Sequence, residues 1–351
     1  MSLQISRKHA LVVSALAVSI LAVGPLPAQS DSVAPGPYDF IPGERILYAE
    51  DFQPSSSGAS AMRRLAEATA RLAIDPREGR PFLHTRPPAS FVAVLREKLP
   101  ERFTIDFDMY IPDAQIVRLS TVGTGANSTT IDVGPHSVAV SSPNGVVSAE
   151  ADRLIADFDH SKTMHYSIAV DGPAVRIYVE RVRVLTAPNA NFGRTDRISF
   201  YFNGGDDPGL IDANPPIWIT DIRIAAGGNT FSYDELMAKG RVATQGILFD
   251  VGSDRIRPES APTLKLIGDM LSAHADLKLT IEGHSDNLGA ASSNQTLSRR
   301  RAEAVTQYLI TTFRVDLSRL ASVGFGDTRP AAPNSTPLGR QQNRRVELVK
   351  Q

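Results

Sequence analysis

The chain has 351 residues, which is enough for two ordinary domains. Its hydrophobic share of 42% with 21% charged residues is typical of a soluble globular protein and not of a membrane bundle. The 37 Lys and Arg nearly balance the 38 Asp and Glu, which argues against nucleic acid as a partner. The absence of cysteine excludes disulfides, thiol catalysis, lipid attachment to an N-terminal cysteine and cysteine-rich zinc sites.

The charges are distributed unevenly along the chain. Residues 31–239 carry 20 basic and 27 acidic side chains, a net charge of −7. Residues 241–351 carry 15 basic and 11 acidic side chains, a net charge of +4. We therefore predict two bodies of different character.

The N-terminus has the layout of a secretory signal. Arg7 and Lys8 precede an apolar run from Ala10 to Val23, and Gly24-Pro25-Leu26-Pro27-Ala28 follows, which places a small residue near a cleavage point. This run is shorter than the ~20 residues that a membrane-spanning helix needs. We predict a signal peptide over residues 1–28 and an exported, soluble mature protein, with an uncleaved anchor as the alternative. A proline-rich linker follows at 29–44.

Residues 45–228 alternate between apolar and polar positions, which is the pattern of half-buried strands. The clearest strands run over Phe103–Ile111, Val175–Val179 and Ile198–Phe202. Many short strands separated by turn residues predict an all-β domain of two packed sheets. The segment Ala61–Ala73 fits a helix or a strand, and both remain open.

Several polar residues in this region could carry chemistry. Asp106 and Asp108 share one face of a strand, and we predict a solvated face. His160 and His165 lack a convincing third metal ligand, so we predict ordinary sandwich residues. The acidic loop at 206–212 predicts a plain polar loop, with calcium binding as the alternative.

From residue 229 onward the pattern changes to alternating strands and helices. We predict a connector at 229–245 that contains a short helix at Tyr233–Lys239, followed by a domain at 246–351. Its expected elements are a strand at Ile247–Val251, a helix at Glu259–Ala275, a strand at Leu277–Glu282, a helix at Gln295–Phe313, and strands at Leu320–Phe325 and Val346–Leu348. The order βαβαββ predicts a two-layer α/β domain.

Three consecutive arginines lie on the second of these helices. A helical wheel points Arg299 and Arg300 outward and places Arg301 near the centre of the apolar side. Asn294 and Ser298 lie on the same stripe as Arg301, and Asn294 is a suitable N-cap. A guanidinium on that side needs a carboxylate or a ligand, because an unpaired charge away from solvent is costly.

Asp286 follows the second strand, in the loop that leads to this helix. One carboxylate and one guanidinium near a helix start suit a zwitterion, whose ammonium group contacts Asp286 and whose carboxylate contacts Arg301. The alternative is a structural ion pair between the two side chains.

The run Gly-His-Ser-Asp-Asn-Leu-Gly at Gly283–Gly289 resembles the Gly-His-Thr-Asp-x-x-Gly motif of the OmpA-like (OmpA/MotB) peptidoglycan-binding domain. The resemblance extends from Gly246 to Val349, and Ser285 in place of Thr keeps the hydroxyl. Further matching motifs are Asn294-x-x-Leu297-Ser298-x-x-Arg301-Ala302, Gly324-x-Gly326, Pro330, Asn334-x-Thr336, Gly339-Arg340 and Asn343-Arg344-Arg345-Val346-Glu347.

This resemblance implies an OmpA-like fold that binds the diaminopimelate side chain of the peptidoglycan stem peptide. The peptidoglycan-binding residues that it implies are Asp286, Arg301, Asn294, Ser298, Ser285 and Leu297. The supporting residues are His284, Gly283, Arg340, Asn343, Arg344 and Arg345. Of these, His284 is expected to orient its loop, and the arginines are expected to tie the loop Asp327–Asn343 to the domain. No catalytic residue, metal or cofactor is expected.

A second resemblance lies in the β-rich region. Met164–Gly172, followed by Ile177–Glu180, resembles the paired strands of concanavalin-like and laminin-G-like sandwiches, with a hairpin at Asp171-Gly172. It implies a jelly-roll sandwich of a kind that often binds glycans.

Together these features predict a non-enzymatic envelope protein of the periplasm, associated with the cell wall and the outer membrane. Its C-terminal domain binds peptidoglycan, and its sandwich faces a glycan or an envelope protein. The alternatives are a lectin or adhesin whose sandwich binds glycan, and a sandwich-fold polysaccharide hydrolase tethered to the wall.

Overall fold

The computed structural model describes residues 39–54, 61–113, 115–123, 128–150, 158–180, 182–203, 215–227 and 232–351. The predicted signal peptide, most of the predicted linker and the acidic loop at 206–212 lie outside these residues. Among the helices that the structure describes, none has both the length and the apolar character needed to cross a membrane.

The first part of the chain is a large β-rich region. Its strands are β1 (Arg45–Glu50), β2 (Ala73–Arg77), β3 (Arg80–Thr85), β4 (Ala89–Val94), β5 (Arg102–Tyr110), β6 (Ile116–Thr121), β7 (Thr130–Val133), β8 (Ser137–Ser142), β9 (Gly145–Glu150), β10 (Met164–Asp171), β11 (Ala174–Val179), β12 (Val182–Ala187), β13 (Arg197–Asn203) and β14 (Ile217–Ala226). The segment left open between Ala61 and Ala73 contains a short 3₁₀ helix at Ala61–Arg64.

These strands form two antiparallel sheets. The eight-stranded sheet has the order β12-β11-β10-β5-β14-β3-β2, with β1 paired to β14, and the six-stranded sheet has the order β4-β13-β6-β7-β8-β9. Alternating apolar side chains such as Ile105 and Phe107 of β5 and Phe200 of β13 fill one shared hydrophobic core. The expected hairpin is present, because Asp171 pairs with Ala174 and Gly172 has a positive φ of 57°.

The C-terminal part is an α/β domain with a separate hydrophobic core. Its elements are α1 (Tyr233–Lys239), β15 (Arg241–Thr244), α2 (Ala261–Ala273), β16 (Leu279–His284), α3 (Ala291–Phe313), β17 (Leu320–Gly326), α4 (Pro337–Asn343) and β18 (Val346–Lys350). The sheet order is β15-β18-β16-β17, with β16 and β17 parallel and the other pairs antiparallel.

The structure of this domain differs from the sequence-based expectation in three places. The segment Ile247–Val251 is not a strand of the sheet, and the first strand is Arg241–Thr244, which pairs with the distant β18. Helix α3 begins at Ala291, and Ala290 occupies the N-cap position that we expected for Asn294. The short helix α4 was not predicted, although Thr336 caps it through the Gly339 amide.

Two glycines allow α3 to lie directly on the sheet. A Cβ atom at Gly283 of β16 would lie 2.2 Å from the carbonyl oxygen of Ser298, and one at Gly324 of β17 would lie 2.3 Å from the amide nitrogen of Arg299. The backbone of the helix therefore packs against the backbone of two strands. This contact fixes where Arg301 lies relative to the end of β16.

We expect Gly283→Ala to lower the free energy of unfolding by about 3 kcal/mol, because a backbone atom and not a flexible side chain blocks the new methyl group. Gly134→Ala in the β-rich region is the control, since its nearest neighbour is a side-chain atom of Ile116 at 3.3 Å. Urea unfolding followed by circular dichroism compares the two. Equal losses in both variants would contradict the close backbone contact.

Candidate functional site

The candidate site begins at the end of β16, where the chain turns toward α3. The Asp286 carboxylate is buried there, with Oδ1 accepting from the Leu288 amide at 3.0 Å and Oδ2 accepting from Arg344 Nη1 at 2.6 Å. Asn294 donates to the Asp286 carbonyl oxygen at 3.1 Å. These bonds hold the Asp286 loop in a defined position beside the first turn of α3.

Arg301 lies on the buried side of α3, as the helical wheel predicts, and its side chain is half-buried. Its Nε donates to the Ser253 carbonyl at 2.9 Å, its Nη2 donates to the Asp250 carbonyl at 3.3 Å, and its guanidinium lies 4.8 Å from the centre of the Phe249 ring. Burial, helped by the nearby Arg344 charge, lowers the pKa of Arg301 to about 10, so this side chain stays charged at neutral pH.

Arg301 has no carboxylate partner within 4.0 Å in the part of the chain that the structure describes. The alternative of a structural pair with Asp286 is therefore not formed, because Asp286 is paired with Arg344. Neutral carbonyl groups do not neutralise the guanidinium charge, and Asp286 and Asp254 act on it only without direct contact, so the group can still bind an anion.

The neighbouring arginines differ from Arg301 in environment. Arg299 and Arg300 are exposed, and Arg299 forms an ion pair with Glu303 one turn along the helix at 2.5 Å. Variants of Arg299 and Arg300 can therefore be compared with variants of Arg301, since only Arg301 lies beside the Asp286 loop.

The other predicted site residues fall into two groups. Ser285 and Leu297 line the same cleft as Asp286 and Arg301, as does Asn294. Ser298 is buried, and its hydroxyl accepts from the Gly326 amide at 2.8 Å. Ser298 thus joins α3 to β17 and supports the position of the helix.

The supporting arginines only partly match their predicted role. Asn343 accepts from the amides of Ala331 and Ala332, and Arg345 donates to the Arg329 carbonyl at 3.1 Å, so both tie down the loop Asp327–Asn343. Arg344 binds Asp286 instead.

Arg340 departs most from the prediction. It donates to the Asn334 carbonyl at 3.1 Å, but its main partner is Asp51 of the β-rich region. Both oxygens of Asp51 accept from Arg340, at 2.6 and 2.9 Å, and the two residues are only 6% and 2% exposed. Sequence reasoning missed this pair because its members lie 289 positions apart.

His284 ends β16 in a buried ionic cluster. Its Nε2 lies 3.7 Å from Glu282 Oε2 and 3.9 Å from Glu347 Oε1, and its ring stacks on Phe325. The three side chains have the spacing of a cation site. However, Glu347 already accepts hydrogen bonds from Arg345 and Arg241, whose positive charges oppose a bound cation.

The outer face of the eight-stranded sheet contradicts our prediction of a solvated surface. Asp106 and Asp108 are only 6% and 8% exposed. Asp108 accepts from Arg80 at 2.7 Å and contacts His165 Nδ1 at 2.7 Å, and Asp106 lies 3.4 Å from Arg223. His165 takes part in this buried ionic cluster through its contact with Asp108.

The two carboxylates of this cluster differ in their pKa. Burial raises the pKa of Asp106 despite the nearby Arg223. Burial acts in the same direction on Asp108, but its hydrogen bond to His165 and the positive charges around it outweigh that effect, so the pKa of Asp108 is lowered. Alternation along β5 predicted which face these residues occupy, but it contained no information on whether another part of the chain covers that face.

A comparison with protein families supports the resemblance of the C-terminal domain to the OmpA family. The model of the OmpA family matches residues 248–344, so this part of the chain is an OmpA family domain. The chain is 38% identical over 101 residues to outer membrane porin F of Pseudomonas aeruginosa. The match covers 29% of this chain and 29% of that protein. The chain is 41% identical over 92 positions to the peptidoglycan-binding protein ArfA of Mycobacterium bovis, covering 26% of this chain and 28% of that protein.

Among solved structures, the chain is similar to the peptidoglycan-associated lipoprotein from Burkholderia pseudomallei. The identity is 28% and the TM-score is 0.28, with 30% of this chain and 88% of that chain covered. The chain spans less than a third of the length of the curated relatives named above.

The environment of His284 predicts a pH dependence of stability. Burial, reinforced by Arg345, lowers the pKa of His284 to about 4, from the ordinary value of 6.5. The unfolded chain therefore binds a proton between pH 6.5 and 4 that the native His284 does not, so stability falls as the pH falls through this window. The contribution of this residue is at most about 3 kcal/mol.

We expect His284→Gln to flatten this dependence, because glutamine does not titrate. The measurement is the free energy of urea unfolding at several pH values between 7 and 4, for the parent and the variant. Parallel curves for the two proteins would contradict a neutral, buried His284.

Proposed function

We propose that this protein is a non-enzymatic component of the cell envelope that binds peptidoglycan non-covalently through its OmpA-like domain. The proposed ligand is the zwitterionic end of the diaminopimelate side chain in the stem peptide. The charged Arg301 guanidinium, which has no carboxylate partner in the described residues and lies in the same cleft as Asp286, is the observation that supports it best.

The chemistry of the two side chains matches the two ends of an amino-acid centre. The planar guanidinium of Arg301 can bind a carboxylate through two hydrogen bonds. Asp286 Oδ2 accepts from Arg344, and its remaining lone pairs can accept from a ligand ammonium group. Leu297 and Ser285 line the cleft around this pair and provide an apolar contact and a hydroxyl.

The comparisons support a wall-binding role for this domain. One relative is named as a peptidoglycan-binding protein, and another is an outer membrane porin. We accordingly propose that residues 1–28 are a signal peptide and that the mature protein lies in the periplasm, associated with the cell wall and the outer membrane.

For the β-rich region we propose a concanavalin-like, jelly-roll sandwich over residues 45–228, joined by a connector at 229–245 to the domain at 246–351. The support is that two antiparallel sheets share one hydrophobic core and that the C-terminal domain has its own. A glycan or an envelope protein remains the proposed partner of this region.

We expect Arg301→Ala to abolish binding to isolated sacculi, because the lost charge-assisted contact is worth about 2–3 kcal/mol, or a ten- to hundredfold weaker complex. Asp286→Ala should nearly abolish it. Arg301→Lys should also bind more weakly, since it keeps the charge but loses the planar fork. Co-sedimentation of each purified variant with sacculi is the measurement, with circular dichroism as the check on folding.

Arg299→Ala and Arg300→Ala are the matched controls. Both remove an exposed positive charge within two residues of Arg301, so they should weaken binding by no more than about 1 kcal/mol, and less at higher salt. A folded Arg301→Ala variant that sediments like the parent would rule out the proposed site.

A further inference from the structure

We propose that the outer face of the eight-stranded sheet forms the second half of the ligand site, so that the protein binds short, soluble stem peptides between its two regions. This proposal rests on the function proposed above, because it adds a second wall to the cleft of Asp286 and Arg301.

The cleft is a cavity of about 470 Å³ whose lining comes from both regions. The OmpA-like domain contributes Asp286, Leu297 and Arg301, and the sheet contributes Asp108 and Asp221, among others. Sites for small ligands have volumes of about 300–1,000 Å³, so this cavity has room for a short peptide. A glycan strand with its attached peptides is much larger than such a cavity.

Asp221 is directed to this cavity by an irregularity in β14. The register of β14 against β5 shifts between Thr220 and Arg223, and Asp221 has a positive φ of 50°. A left-handed conformation is unfavourable for a non-glycine residue, and bulges of this kind often reorient a side chain next to a functional site. The Asp221 side chain remains 40% exposed, beside Arg80, to which it is hydrogen bonded.

Both sides of the cavity contain buried polar atoms that have no hydrogen-bond partner among the residues that the structure describes. On the sheet these are Asp106 Oδ1 and Arg223 Nε, and on the OmpA-like domain one is Ser285 Oγ. All three residues line the cavity. Buried polar atoms are normally hydrogen bonded, and a peptide offers both amide donors and carbonyl acceptors. The lining therefore suits a charged peptide better than an apolar ligand.

Short polar contacts hold the two walls together. Asp51 of the β-rich region binds Arg340 through both oxygens, and Glu44 accepts from Thr244 Oγ1 at 2.9 Å and from the Gln245 amide at 2.7 Å. A soluble peptide gains contacts from both walls. A stem peptide attached to a glycan strand must reach Arg301 past the sheet. The contacts that hold the sheet against the OmpA-like domain therefore oppose binding to intact peptidoglycan.

The test uses the full chain and two ligands, because the proposal predicts weaker binding of one and no loss of binding to the other. The first is the soluble tripeptide L-alanyl-γ-D-glutamyl-meso-diaminopimelate, titrated by calorimetry, and the second is isolated sacculi, measured by co-sedimentation. Asp51→Asn should weaken tripeptide binding about tenfold, since it loosens the second wall, and should leave sacculus binding equal or stronger.

Asp221→Asn is a second variant, which tests the sheet side of the cavity directly and does not depend on the buried Asp51–Arg340 pair. Asparagine has the same size and tolerates a positive φ, so the fold is preserved while the charge is lost. We expect about tenfold weaker tripeptide binding and unchanged sacculus binding. Asp171→Asn is the matched control, because it removes the same group from an exposed ion pair with Arg102 on the same sheet. It should change neither measurement.

Arg301→Ala separates the two proposals. If Asp221→Asn and Asp51→Asn bind the tripeptide as the parent does while Arg301→Ala does not, the sheet is not part of the ligand site. The proposed peptidoglycan site at Arg301 is then still supported. If Arg301→Ala also binds both ligands like the parent, the proposed function fails and the second wall fails with it.

Discussion

The placement of helix α3 directly on the backbone of β16 and β17 is the constraint on which the candidate site depends. Gly283 and Gly324 leave no side chain between the helix and the two strands, so the helix cannot shift or rotate without losing a close-packed contact. Ser298 adds a hydrogen bond to the Gly326 amide at the same place. Arg301, one turn further along, is therefore held beside the loop that carries Asp286.

Most charged side chains around this contact form ion pairs, and Arg301 is an exception. Asp286 is bound to Arg344, Asp51 to Arg340, and Glu347 to Arg345. Arg301 is instead held by two neutral carbonyls and an aromatic ring. Among the described residues Arg301 therefore has no direct carboxylate partner, and the cleft beside it is where we propose that a ligand carboxylate binds.

Local periodicity predicted a large part of the fold. Alternation along β5, β11 and β13 identified strands that the structure contains, and the helical wheel separated the half-buried Arg301 from its exposed neighbours. Periodicity failed where the deciding contact was distant. The strand at Arg241–Thr244 exists because it pairs with β18 more than a hundred residues later, and the pattern at Ile247–Val251 reflects packing of Ile247 into the core and not a strand.

The same reason explains why the second wall of the cleft was not predicted. Asp106 and Asp108 alternate with core residues, which is the pattern of a face turned away from the core. Whether water or another part of the chain covers that face depends on pairs such as Asp51 with Arg340, and no local pattern indicates them. The resemblance to the OmpA-like domain located Asp286 and Arg301, but it contained no information on the region packed above them.

Recognition of a zwitterion by Arg301 and Asp286 can be tested by calorimetry with two soluble tripeptides. One is L-alanyl-γ-D-glutamyl-meso-diaminopimelate, and the other ends in L-lysine, whose α-amine is acylated and whose side chain carries an amine but no carboxylate. Because the carboxylate contact to Arg301 is worth about 2–3 kcal/mol, we predict that the lysine tripeptide binds at least tenfold more weakly. Equal affinities for the two tripeptides would show that Arg301 and Asp286 do not recognise a zwitterion.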